Sequence, residues 1–99
     1  MRFEFDREKS VRNKQKHGVT LAEAVQLWRQ AHLEIRARTA DEPRFMVIGV
    51  MRGKLYACIY TTRGDAIRLI SCRRVRLKEV RFYHAYFPET TGQGEAHSG

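Results

Sequence analysis

"RFMVIGVMRGKLYACIYTTRGDAIRLISCRR", residues 44–74, reads as three strands in immediate succession. "RFMVIGVM" is the first. "RG" at 52–53 supplies a tight turn, and "KLYACIYTT" returns. "RGD" at 63–65 makes the next turn into "AIRLISCR". Connections this short leave no room for a crossover, so the pairing is antiparallel. "RGD" also matches a cell-adhesion tripeptide, but a turn explains it and nothing else points to secretion.

Upstream, "HLEIRAR" alternates Leu33, Ile35 and Ala37 with polar residues, the mark of a half-buried strand. "TADEP" at 39–43 separates it from the meander. Before it, "NKQKHGVTLAEA" (13–24) holds one helix stop and one helix start. Gly18 suits the left-handed C′ position. Thr20 and Glu23 have capping-box spacing, and Val19 can staple against Ala24. A first helix is expected over 7–16, capped by Asp6, and a second over 21–30. Leu21, Ala24, Val25 and Trp28 form the apolar stripe of the second. "RFEFD" alternates Phe3 and Phe5 as a short N-terminal strand. A last helix is expected over 75–87, with Leu77, Val80, His84 and Phe87 on one face and Tyr83 beside them. From Pro88 the chain lacks anchoring apolar residues, so 88–99 reads as a disordered tail behind a single 1–87 domain. The expected class is α+β: an antiparallel sheet, made of the short N-terminal strand and a four-strand meander, packed with two N-terminal helices and one C-terminal helix.

Ninety-nine residues, 42% of them apolar, allow one modest core. No apolar run approaches the roughly 20 residues of a membrane span, and the N-terminus lacks a signal-peptide core. Cys58 and Cys72 lie in apolar strands and read as buried thiols of a reduced cytoplasm. No C-x-x-C or His pair at metal spacing occurs, so neither metal nor cofactor is expected. The charge is informative: 19 Lys+Arg oppose 11 Asp+Glu, net +8. Within 63–81, Arg63, Arg68, Arg73, Arg74, Arg76, Lys78 and Arg81 face only Asp65 and Glu79. Such a field attracts a polyanion, usually nucleic acid, although a soluble basic surface has the same composition.

"FEFD" before "K…N…KHGV", then an "EA" helix, "RF…IG", "YTTRGDAIRLISCRR" and a final "E…Y" together resemble the BrnT family over about residues 3–83. Phe5 stands where that family usually has Trp. Its Ser-Ala-Arg appears as Ser71-Cys72-Arg73, and "TADEP" is shorter and less acidic than is common. The resemblance implies a RelE-like fold and a toxin of a type II toxin–antitoxin pair that cleaves RNA and inhibits translation. It also implies a BrnA-like antitoxin with a ribbon-helix-helix domain; a toxin–antitoxin heterotetramer is one assembly such a pair could form. The competing readings are a non-catalytic basic RNA- or DNA-binding module and a domain that binds an acidic protein.

RNA can be cut without metal when its 2′-OH attacks the adjacent phosphate. Proton transfer then suits a group titrating near ambient pH, and charge stabilisation suits arginine forks. Arg63 and Arg73 are the expected phosphate clamps. His17 is the candidate proton-transfer group; contact with substrate or partner, or capping of the helix that it ends, are its alternatives. Lys14, Lys16, Arg68 and Arg76 are candidate RNA contacts, and Arg68 could equally be structural. Tyr83 could stack on a base, while Glu79 could form a scaffolding pair with Arg76 or Arg73. Arg44 joins the RNA-binding set only through the family pattern. Strict alternation puts Arg68 with Ile70 and Cys72 on one face and Arg73 with Leu69 and Ser71 on the other, unless a bulge intervenes.

Overall fold

The structure is a computed structural model that describes residues 1–37 and 42–88. Most of "TADEP" and of the expected tail lies outside the described residues. The elements are β1 (Arg2–Glu4), α1 (Arg7–His17), α2 (Leu21–Ala24) continued by a 3₁₀ turn (Val25–Arg29), β2 (His32–Ala37), β3 (Arg44–Met51), β4 (Lys54–Arg63), β5 (Ala66–Arg74) and α3 (Leu77–Tyr86).

The α+β class and the four-strand meander are as expected. β2, β3, β4 and β5 pair antiparallel in sequence order. The β3–β4 turn puts Arg52 (φ 57) and Gly53 (φ 75) in the left-handed region, as a two-residue primed turn requires. An ion pair from Arg52 to Glu23 anchors it against α2.

Two expectations need correction. β1 does not extend the antiparallel pattern; it runs parallel to β5, matching Phe3 with Ile67. No short loop joins these strands, so hairpin geometry has no say in their direction. The second helix is not α-helical throughout. Its buried residues are Leu21, Ala24 and Leu27, three apart, which suits the three residues per turn of its 3₁₀ half. Val25 and Trp28 are only partly buried against the same cluster.

Helices cover both faces of the sheet. On the first, Val19, Leu21, Ala24 and Leu27 pack on Val47, Tyr56, Cys58, Tyr60, Leu69 and Cys72. On the second, Tyr83 of α3 packs with Leu33, Ile48 and Ala57. Asp6 caps α1 through Lys9 N–H, and Thr20 and Glu23 form both bonds of the capping box. Gly18 (φ 83) ends α1.

Candidate functional site

A bulge in β5 sets the arrangement of the cationic side chains. Leu69 pairs with Tyr60 and Ser71 with Ile59, so Ile70 is the extra residue. Before it, Ile67 and Leu69 face the first core; after it, Cys72 does. The odd-to-even switch moves Ser71 and Arg73 onto the face of Arg68. Arg73 lies across from Ala57 of the second cluster, and Arg68 across from Thr61. The face therefore presents Arg68, Ser71 and Arg73 from one strand, with Arg63 at the end of the next.

Two carboxylates organise these arginines. Glu4 of β1 accepts from Arg68 Nη1 at 3.0 Å and lies 3.9 Å from Arg63 Nη1. The Arg63 side chain is 65% exposed, so its remaining donors face outward. Glu79 receives both prongs of Arg73, Nη1 to Oε1 and Nη2 to Oε2, each at 2.9 Å. Glu79 Oε1 also accepts the Arg76 backbone N–H at 2.8 Å, tying the start of α3 to the same carboxylate. The Arg73 bonds hold the Glu79 carboxyl below its ordinary range despite burial, and Glu79 in turn raises Arg73. Of the two scaffolding pairs foreseen for Glu79, the side-chain pair is with Arg73.

The other candidates sit elsewhere. Lys14 and Lys16 are exposed on α1, whose buried Ser10 and Asn13 tie it to the start of α2 and to the edge of β5. His17, half-buried at the end of α1, makes no hydrogen bond, ion pair or ring contact with Arg63 or Arg73. Arg44 opens β3 beside Glu42, at 3.4 Å. Arg76 is exposed just before α3. Tyr83 is 4% exposed, with Phe87 4.9 Å from its ring, so neither ring face is open to a base. Burial raises its hydroxyl pKa.

Two participants were missed. Glu4 gave a signal, since it alternates with Phe3 and Phe5 and so had to point away from their core. The second is a chain on the first face: Gln30 O to His32 Nδ1 at 2.7 Å, His32 Nε2 to Glu34 Oε2 at 2.8 Å, and Tyr60 O–H donating to Glu34 Oε1. Burial opposes the Glu34 charge, yet the bonds from Tyr60 and His32 win and lower its pKa. Burial and the same bond raise Tyr60. His32 and Glu34 are two apart and alternate with Leu33 and Ile35, so their shared face was legible.

Among the described residues no group of three His, Cys, Asp or Glu side chains converges, and no helix is long and apolar enough to cross a membrane. Cys58 and Cys72 are free, buried and directly opposite each other. A hydrogen bond to Cys72 and burial push the Cys58 thiol up.

No individual curated protein matches the chain. The sequence model of the family described as "Ribonuclease toxin, BrnT, of type II toxin-antitoxin system" matches residues 5–79, a span that includes α1, the whole meander and the Arg73–Glu79 pair. A basic α+β domain with an arginine-lined sheet face, matched over that span, belongs to the BrnT family of ribonuclease toxins.

Proposed function

We propose that the protein is an endoribonuclease that cuts RNA without a metal ion, and that the reaction takes place on the sheet face of Arg63, Arg68 and Ser71. The β5 bulge at Ile70 carries this reading, because it brings Ser71 and the Arg73–Glu79 pair onto the face of Arg63 and Arg68, from which strict alternation would divide them. In the reaction the 2′-oxygen bonds to phosphorus, the bond to the 5′-oxygen breaks, and a proton passes from the 2′-OH to the departing oxygen. Arg63 and Arg68 hold the phosphate oxygens as charge builds on them, and Ser71, next beyond Arg68 on the same face, donates a further hydrogen bond. Both carboxylates of the face, Glu4 and Glu79, are engaged by guanidiniums, which favours arginine-based charge stabilisation over metal ligation. Arg73 is a positioning residue, since its two prongs hold Glu79 and through it the start of α3.

As a toxin of a type II pair, the protein acts on RNA and has an antitoxin partner. Within our reading the antitoxin is BrnA-like, carries a ribbon-helix-helix domain and relieves inhibition of translation in the cytoplasm. Free, buried Cys58 and Cys72 suit that reducing compartment. The test is cleavage of RNA in EDTA with analysis of the ends. The expected products carry 2′,3′-cyclic phosphate and 5′-hydroxyl. Strict Mg²⁺ dependence, or 3′-hydroxyl and 5′-phosphate ends, would overturn the mechanism. Salt-sensitive binding without cleavage would return the chain to the class of nucleic-acid-binding modules.

A further inference from the structure

We infer that the groove between β2 and α3 is the antitoxin's docking site, and that its occupant is an extended antitoxin segment carrying apolar and acidic residues. The groove encloses about 710 Å³, with Leu33 and Ile35 of β2 on one side and Phe82 and Tyr86 of α3 on the other. Phe82 is 46% exposed and Tyr86 65%, an unusual cost for a small monomer. Lys78 also lines it and forms no ion pair among the described residues; the guanidinium of Arg36 lies on the other face of β2, 5.5 Å from the Phe45 ring. Among the described lining residues the one carboxylate, Glu79, is already held by Arg73.

Among the described strands β2 is an edge of the sheet, and its outer backbone groups can take a further strand. Strand addition there sends alternate side chains into the apolar groove, while the backbone supplies the hydrogen bonds. The unpaired Lys78 selects an acidic side chain that enters the groove, while Arg36, over Phe45 on the other face of β2, favours one on the alternate side of the added strand. Two other occupants fit less well. A second copy of this +8 chain would bring like charge to the same rim. Residues 89–99, "ETTGQGEAHSG", offer Ala96 as their one apolar side chain and could not fill the groove. The inference rests on the family's pairing with a protein antitoxin and is independent of the cleavage mechanism.

The experiment uses the full chain and its full-length cognate antitoxin. F82E, Y86E and K78E are compared with wild type in three measurements: antitoxin affinity by calorimetry, RNA cleavage without antitoxin, and melting temperature. F82E and Y86E should each weaken the antitoxin at least about tenfold, as loss of an interface anchor does. K78E should weaken it less, and mainly at low salt. Cleavage and melting should stay at the wild-type level. Amide exchange in β2 of the wild-type chain should slow on adding antitoxin, a result that no variant's folding can confound. Unchanged affinity in F82E and Y86E, or unchanged β2 exchange, would overturn the proposal. Lost cleavage with full antitoxin affinity would make the groove an RNA surface instead. A wild-type dimer that becomes monomeric in Y86E with full antitoxin affinity would assign the groove to a second copy. A wild-type protein that binds antitoxin through β2 but does not cut RNA would sink the ribonuclease mechanism and leave the docking site standing.

Discussion

Asn13 joins Cys72 across 59 residues of sequence as a neighbouring strand would. Its Nδ2 donates to the Cys72 carbonyl at 2.8 Å, and its Oδ1 accepts the Cys72 N–H at 3.0 Å. The same Nδ2 donates to Val19 O at 2.7 Å. β1 covers β5 only from Ala66 to Arg68, so the β5 edge beyond it needs another partner. One amide provides it and also holds the corner that follows α1. The asparagine of the "K…N…KHGV" stretch is therefore structural. Nearby, Ser10 Oγ accepts the Leu21 N–H at 2.9 Å, fixing the start of α2 to α1.

Asn13→Ala should lower stability by about 3 kcal/mol, because it strands buried backbone groups on both sides of the junction. Asn13→Asp should not restore it, since a carboxylate cannot donate to the Val19 and Cys72 carbonyls. Urea unfolding checks both, and a change of less than about 1 kcal/mol in Asn13→Ala would show that the edge finds another partner.

Arg73 and Glu79 should behave as one unit. A double-mutant cycle with Arg73→Ala and Glu79→Ala should give a coupling of about 2 kcal/mol, typical of a hydrogen-bonded, part-buried pair. Glu79→Gln should reproduce much of the activity defect of Arg73→Ala, because Arg73 acts through the placement of α3. If Glu79→Gln cleaves at the wild-type rate while Arg73→Ala does not, Arg73 touches the phosphate itself.

Arg63→Ala should separate activity from stability. Its melting temperature should stay at the wild-type value, since its one ionic contact among the described residues is long and mostly solvated. Single-turnover cleavage should fall about a hundredfold or more, the usual loss for a transition-state donor. Arg63→Lys should recover only part of it, for want of the planar fork. His17→Ala should leave cleavage per folded molecule unchanged, as no contact ties His17 to the arginine face. A loss matching that of Arg63→Ala would bring α1 into the site.

Acid should destabilise the fold through Glu79 and Glu34. Both have folded pKa values below the ordinary 4.5, so the native state binds fewer protons there than the unfolded chain. Their stabilisation is complete above 4.5 and is lost as pH falls through the folded values. Melting temperatures of wild type and Glu79→Gln should differ at neutral pH and converge in acid. A constant difference down to pH 3 would remove Glu79 from the acid transition.

The sequence by itself determined the parts ruled by near neighbours. The meander followed from turns too short for any other pairing, and Arg52–Gly53 takes the backbone that its turn type demands. The stop at Gly18 and the capping box of Thr20 and Glu23 are local hydrogen-bond problems with local solutions. Tertiary structure decided whatever depended on distant partners. β1 runs parallel to β5 because packing, not a hairpin, brings them together. The bulge at Ile70 has no turn residue to announce it; it lets Leu69 and Cys72 both reach the first core, and Arg68 and Arg73 share a face as its consequence. Charge foretold a cationic surface but not which cations were already held. Glu4 and Glu79 settled that, and each reaches its arginine only because the sheet and α3 place it there. His17 looked close to the arginines in composition alone, yet α1 docks on the edge of β5 through Asn13, and no contact ties His17 to Arg63 or Arg73 on the second face.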